Sequence, residues 1–519
     1  IDGLKAIAVG AVILYHAEIT IFGHQPFSGG FIGVDIFFVI SGYLIASIIL
    51  KELVTTGSFS FKNFYERRVR RILPLLLCVS VLIFPLAWIY LLPDKLIDYS
   101  KSIITSITFS SNFYAYYSGN VFGRSSYFSN PFIHTWSLSV LIQFYILFPI
   151  ILLITFKYFR KYLIHILILG FVVSLGLADW GSRNLSSLNF YILPTRGWEF
   201  LAGSILAYFK INNGHRSKNK TLNLILPTLG LLFIGHSIFF FNDRMFHPSL
   251  YTLSPIIGVC LIIWFSDKNE LITKILSAKV FVGIGRISYS LYIWHFTIFA
   301  FNLNREKYFS LNQISNEYLI LLAFVISIIS YYYIELPFRK KIISFKKIIF
   351  SIISTLLFLT FINSLIISNN GFLSRYDNNE ITKELIKLIP EYDNFRNEKG
   401  ENCFTIQRGC HFNESFENEV IIIGDSLVHT IAPELREKLK EKNYQSSFYY
   451  LGDCHYFPEF NRIIVKNKIK DKKCNTEYFK RIKQRIDKKE NQIVIFFFRS
   501  KIAFINKRFY NKESGLEKK

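Results

Sequence analysis

The sequence predicts a polytopic α-helical membrane bundle of about eleven spans, followed by an extracytoplasmic α/β domain. Three observations carry this reading. Hydrophobic residues make up 51% of the 519 positions and aromatic residues 17%, outside the range of ordinary soluble chains. Apolar stretches near the length of about 20 residues that a hydrocarbon layer asks of a helix recur through the first two thirds. At about Asn369 the pattern changes, and charged segments begin to alternate with short apolar runs.

The expected spans are 4–22, 31–50, 72–92, 132–156, 162–179, 190–208, 221–241, 250–266, 278–300, 317–336 and 347–367. With the amino terminus on the cytoplasmic side, the inside loops hold 21 Lys and Arg residues and the outside loops 7, so the bias in basic residues fixes the orientation. An odd number of spans then delivers residues 370–519 outside. The expected organisation is a membrane domain over 1–345, a linking transmembrane helix over 346–369 and an external domain over 370–519. A formal net charge of +23 raises nucleic acid as a partner. The basic residues nevertheless sit in short segments between apolar runs, where they orient helices, and no nucleic acid is expected. The chain opens directly on IDGLKAIAVGAVILYHA, without a methionine or a small-residue cleavage site, and stops soon after an apolar strand. We therefore expect residues to be missing at both ends, and the external domain to be truncated.

Lys5 and His16 stand eleven residues apart in the first stretch, roughly 16 Å along one helix face. A cation falls at the membrane edge and an imidazole near mid-bilayer, where an ionisable group costs about 2.5 kcal/mol or more and is by default functional. Asp35 is a second such group, and His134, Glu199, His295 and Glu335 extend a polar interior. The segment FYERRVRRILP places Arg67, Arg68, Arg70 and Arg71 at the cytoplasmic mouth of the third span. Guanidinium forks pair bidentately with phosphate, although charge of this kind also orients helices.

In the tail, Val420–Ile423 reads as a buried strand running into Gly424-Asp425-Ser426 and an amphipathic helix. That arrangement holds a serine hydroxyl at the end of a sheet beside backbone amides, which suits a nucleophile with an oxyanion site; the plainer alternative is a helix-capping serine. His429, one turn on, is too close in sequence to be an obvious base. Ile493–Phe498 is a second apolar strand, so a doubly wound domain is expected. Cys403, Cys410, Cys454 and Cys474 lie together in this polar part, as in an oxidising compartment, and Cys403–Cys410 with Cys454–Cys474 is the favoured pairing of three. Neither CxxC nor a matching histidine spacing occurs, and no metal is expected.

The stretches IDGLKAIAVGAVILYHA, FSGGFIGVDIFFVISGYLIASIIL, FYERRVRRILPLLL, HTWSLSVLIQFYILFP, RGWEFLAGSILA, ISYSLYIWHF and YIELPFRK, in that order over 1–345, resemble the membrane-bound acyltransferase-3 family. The tail from Val420 resembles the SGNH-hydrolase-like domain fused to it in bacterial O-antigen and peptidoglycan O-acetylases. The resemblance implies a protein of the bacterial inner membrane that passes an acetyl or similar short acyl group from cytoplasmic acetyl-CoA to a hydroxyl of a cell-surface glycan, such as O-antigen, peptidoglycan or exopolysaccharide. The family's Arg-x10-His pair maps onto Lys5 and His16, and its RxxR motif onto Arg68 and Arg71, which implies contact with the coenzyme A phosphates. His16, Asp35 and Ser426 are then the expected catalytic residues, and Lys5, Arg68 and Arg71 the donor-binding ones. Four positions depart from the pattern: Lys5 lacks the guanidinium fork, Leu141 and Ile142 replace two acidic residues, and Leu427 replaces the histidine of a GDSH block. Two rival readings remain, a transporter or flippase of a lipid-linked sugar or acyl donor, and a non-catalytic family member.

Overall fold

Apolar sequence in a membrane satisfies its backbone only within a helix or a closed barrel, and each of the eleven stretches contains a helix. In this computed structural model they are α1 (Asp2–His16), α2 (Gly33–Thr56), α3 (Phe61–Tyr90), α4 (Trp136–Tyr158), α5 (Leu163–Asn184), α6 (Leu193–Asn212), α7 (Lys220–Phe240), α8 (Leu253–Phe265), α9 (Ser288–Phe309), α10 (Asn316–Ser330) and α11 (Phe345–Ser368). The structure describes residues 1–118, 128–212, 219–266, 270–309, 314–340, 342–376, 395–397, 401, 403, 409–424, 428–450, 460–464, 469–470, 476–487, 491–497, 508–511 and 517–518. These divide into two units, Ile1–Phe372 and Leu373–Lys519.

Among the described residues, seven helices are long and apolar enough to cross a membrane: α2, α3, α4, α5, α7, α10 and α11. The remaining four differ for visible reasons. α1 and α8 have only 15 and 13 residues, and α6 carries Arg196, Glu199 and Lys210. The stretch expected as one span over 278–300 is broken at Ile287, between a short helix Lys279–Arg286 and α9, which runs on through Asn302, Asn304, Arg305 and Glu306.

Close backbone approach decides where the polar interior forms. An added Cβ at Gly42 of α2 would stand 1.9 Å from the Phe200 carbonyl oxygen, and one at Gly203 of α6 would stand 2.0 Å from that of Val39. Only glycine fits, as at small-residue crossings in membrane bundles. Asp35 lies two turns before Gly42 and Arg196 two turns before Gly203, so the same crossing sets these two side chains against each other.

In the second unit, β1 (Cys410–Phe412), β2 (Glu419–Gly424), β3 (Gln445–Tyr450) and β6 (Gln492–Phe497) form a sheet of order β1-β3-β2-β6, in which β3, β2 and β6 are parallel and β1 is an antiparallel edge. A second sheet joins β5 (Ile469–Lys470), β4 (Phe460–Ile464), β7 (Arg508–Asn511) and β8 (Glu517–Lys518), all antiparallel. Alternation along β2 feeds both faces of the first sheet. Val420 and Ile422 pack with Val428 and Ala432 of α12 (Val428–Glu441), while Ile421 and Ile423 pack with Tyr478, Phe479 and Ile482 of α13 (Thr476–Ile486). Helices on both faces give the doubly wound arrangement expected. The Cys403–Cys410 disulfide is present; Cys454 and Cys474 lie outside the described residues.

Glu419 opens β2 fully buried. It accepts hydrogen bonds from the Ser447 hydroxyl, from Arg485 Nε at 2.8 Å and from Gln492 Nε2 at 2.8 Å. Burial pushes its carboxyl up, yet the Ser447 and Arg485 donors outweigh burial and hold it below the ordinary value. A depressed carboxyl adds stability above its unfolded value, about 4.3, and that stability is lost as pH falls through the folded value. Limited proteolysis of the full chain is therefore expected to show a second unit equally resistant from neutrality down to mildly acidic pH and increasingly cleaved below it. Glu419→Gln flattens the profile.

Candidate active site

His16 ends α1 and meets His295 of α9. His295 Nδ1 lies 2.8 Å from the Leu291 carbonyl oxygen, which only accepts, so that nitrogen carries a proton. In neutral His295 the Nε2 is then an acceptor, and His16 Nδ1, 3.1 Å away, donates to it. The consequence is a His16 whose Nε2 holds a lone pair. That atom is enclosed and, among the described residues, has no hydrogen-bond partner. The two imidazoles lie 5.3 Å apart, the Phe296 ring meets His16 edge-on at 4.9 Å, and His134 is 6.0 Å from His295.

Three cavities run past this group. An inner one of about 90 Å³ is bounded by Arg71, Ser41, Ser137, Leu141, Tyr145 and Tyr292, among others. A narrow one of about 20 Å³ shares Val34 and Tyr292 with it and adds His16, His134, Arg196 and His247. An outer one of about 270 Å³ shares His16 and opens among Glu18, Phe299, Asn302, Glu306 and Asn316.

The arginine cluster divides by contact. Arg71 lines the inner cavity, and Arg68 stacks over Phe64 and Tyr145 at 5.5 and 5.6 Å, the latter a wall residue of that cavity. Arg70 is buried instead, held by Glu66 at 2.8 Å and by the carbonyl oxygens of Ile343 at 2.9 Å and Phe338 at 3.4 Å, a fastening role. Arg67 is exposed. Lys5 pairs with Asp2 at 2.9 Å and is electrostatically coupled to Arg71 and Arg339, although it does not line the inner cavity. Arg71→Ala is expected to weaken a polyphosphate-bearing ligand by about 10- to 100-fold, since one charge-assisted contact contributes about 1.5–3 kcal/mol. In steady-state assays this raises KM with little change in kcat.

Asp35 does not face His16. It is fully buried and accepts from Arg196 Nη1 at 2.6 Å; the same nitrogen reaches Glu199 at 2.9 Å, and Arg196 Nη2 lies 3.2 Å from His247 Nε2. The guanidinium also sits 4.8 Å from the Phe190 ring and 5.5 Å from that of Trp136. Arg196 and His247, not Asp35, line the narrow cavity with His16, so Asp35 reaches the site through Arg196 and through His247, whose Nε2 lies 3.6 Å from its Oδ1. One guanidinium cannot neutralise two carboxylates, and charge balance asks the cluster to hold a proton. Sequence reading missed Arg196 and His247. The rule that flagged His16, an ionisable side chain inside an apolar stretch, applies equally to Arg196; His247 lies in a loop and gave no signal.

Ser426 and Leu427 lie outside the described residues; β2 ends at Gly424, where the Gly-Asp-Ser run begins. Leu141 lines the inner cavity, and Ile142 is half-buried against the core. Among the described residues, no group of three His, Cys, Asp or Glu side chains is arranged to hold a metal ion.

Comparison with known proteins agrees with this architecture. Residues 1–336 match the acyltransferase-3 domain model, so the chain belongs to that acyltransferase family and is a membrane protein. Its second unit, over residues 394–518, matches the SGNH domain found fused to such domains. The chain is 36% identical over 361 residues to proteins bearing the name O-acetyltransferase in Staphylococcus aureus strains COL and MSSA476. It is 32% identical over 354 residues to O-acetyltransferase OatA of Staphylococcus aureus strain NCTC 8325 / PS 47. Each match covers 66% of this chain and 57% of the relative. No solved structure matches.

Proposed function

We propose that the protein is an O-acyltransferase of the bacterial plasma membrane, which moves an acetyl or similar short acyl group from cytoplasmic acyl-CoA to a hydroxyl of a cell-surface glycan. The observation that carries this is His16 Nε2, a lone pair without a partner among the described residues, on a ring that borders the outer cavity directly and reaches the Arg71-lined inner cavity through the narrow one. Arg68, Arg71 and Lys5 hold the donor phosphates at the inner mouth, and the thioester enters between Tyr145 and Tyr292. Nε2 attacks the thioester carbon, the C–S bond breaks and the thiolate leaves to take a proton from cytoplasmic water. The Nδ1 proton of the acylated ring is shared with His295. From there the group passes outward, and Ser426 of the SGNH unit, on the outer face by the charge bias of the loops, is the nucleophile that completes delivery to the glycan.

Mass spectrometry of surface glycans from cells carrying His16→Ala or Ser426→Ala tests the reading. Loss of O-acetylation in both supports it, and unchanged acetylation in both overturns it. Leu141 favours one rival, a fold retained without catalysis, because it puts an alkyl group on the inner cavity wall where the resemblance calls for an acid. Activity that arises only when Leu141→Glu and Ile142→Glu are introduced together supports that rival.

A further inference from the structure

We propose that Arg196 and His247 form an oxyanion site for the thioester carbonyl, in the narrow cavity that they share with His16. This rests on the acyl-carrying role of His16 given above and names the groups that stabilise the charge its attack creates. Addition of a nucleophile to a thioester moves a pair of electrons onto the carbonyl oxygen. N–H donors already fixed around that position lower the barrier most, because nothing need reorganise as the charge forms.

Counting hydrogens identifies the donors. An arginine side chain has five N–H groups and accepts nothing. In Arg196, Nε donates to the Phe190 carbonyl oxygen at 3.1 Å, Nη1 to Asp35 at 2.6 Å and to Glu199 at 2.9 Å, and Nη2 to His247 Nε2 at 3.2 Å. The other Nη2 hydrogen has no partner among the described residues. His247 supplies a second donor. Because its Nε2 faces a nitrogen that only donates, that atom accepts, and the neutral ring carries its proton on Nδ1. Nδ1 is enclosed and, among the described residues, has no partner.

Both groups are held in place. Asp35 and Glu199 lock the guanidinium on α6. The Phe31 and Phe190 rings stand 4.9 and 5.8 Å from that of His247, and Asn189 Nδ2 donates to the neighbouring Pro248 carbonyl oxygen at 3.1 Å. A cavity of about 20 Å³ matches one oxygen atom the size of a water molecule. Tyr292, on the same wall, does not compete for it, since its hydroxyl donates to the His134 carbonyl oxygen. In the step proposed, His16 Nε2 forms a bond to the acyl carbon and the C=O π pair moves to oxygen, which accepts from Arg196 Nη2–H and His247 Nδ1–H. The pair then re-forms the carbonyl, the C–S bond breaks with its electrons on sulfur, and the thiolate takes its proton from cytoplasmic water.

The full chain in lipid nanodiscs, mixed with acetyl-CoA in a single turnover, reports this step as release of the coenzyme A thiol. His247→Phe keeps a ring and loses the donor. Its rate constant is expected to fall about 10²-fold, while the half-saturating acetyl-CoA concentration stays within about twofold. His247→Gln carries both an acceptor for Arg196 and an N–H donor, and is expected to recover about 10-fold of that loss. S-Ethyl coenzyme A has no carbonyl and is expected to bind the wild type and His247→Phe equally. A second variant separates catalysis from folding. Arg196→Met with Asp35→Asn and Glu199→Gln is expected to regain most of its thermal midpoint and still to release thiol about 10²-fold more slowly than the wild type. A rate constant unchanged in His247→Phe, or one restored along with stability in the triple variant, overturns the oxyanion site. So does weakened binding of S-ethyl coenzyme A that accounts for the whole effect. If His16→Ala is slow while His247→Phe is not, the oxyanion site alone falls. If His16→Ala releases thiol as fast as the wild type, the carrier role falls and the oxyanion site with it.

Discussion

Removing the His16 ring is expected to abolish acyl transfer, by about 10³-fold or more in kcat, because the proposed nucleophile and the proposed proton route through His295 disappear together. His295 separates geometry from bulk. In His295→Phe the ring volume stays, but the acceptor for His16 Nδ1–H is gone, so nothing fixes which His16 nitrogen carries the proton. The fraction of molecules with a free Nε2 lone pair falls, and kcat is expected to drop about 10²-fold while KM for the donor stays near its original value. A rise in KM with kcat unchanged would instead make His295 a packing residue. Donor consumption by the purified full chain, measured over a range of acetyl-CoA concentrations, distinguishes the two.

Arg196 is expected to be the residue whose loss costs most stability. Arg196→Met leaves Asp35 and Glu199 buried at the α2–α6 crossing without their shared guanidinium, and removal of one partner from a buried ion pair costs about 3–5 kcal/mol. Yield of monodisperse protein in detergent and its thermal midpoint should both fall. Neutralising the carboxylates in the same chain, as Asp35→Asn with Glu199→Gln, is expected to return most of the loss, since no buried charge then remains uncompensated. Should the single change be harmless, the cluster carries no net charge that needs Arg196.

What the sequence could convey depends on the range of the interactions involved. The eleven helices, the strand Glu419–Gly424 and the strand Gln492–Phe497 follow from local apolar patterning, which needs no knowledge of neighbours. Lys5, His16, Arg68 and Arg71 stood out because charge within or at the edge of an apolar stretch is costly wherever it packs. The pairing of His16 with His295 spans 279 residues, and the grip of Arg196 on Asp35 spans 161. Such partners depend on which helices cross, and in this bundle that is decided by glycines such as Gly42 and Gly203, whose meaning only the backbone approach reveals. Asp35 illustrates the gap, because its burial was foreseen while its partner was not. Arg70 does too: alike in sequence to Arg68 and Arg71, it turns away from the cavity because Glu66 and two carbonyl oxygens claim it.

The narrow middle cavity, about 20 Å³, holds roughly one water molecule, since a cavity of about 10–15 Å³ suffices for that. A passage so tight does not admit a hydrated ion or a whole coenzyme. On the proposed mechanism the bulk of the donor therefore stays on the Arg71 side, and Val34 and Tyr292, the walls that the inner and narrow cavities share, must part for its acyl carbon to meet His16 Nε2.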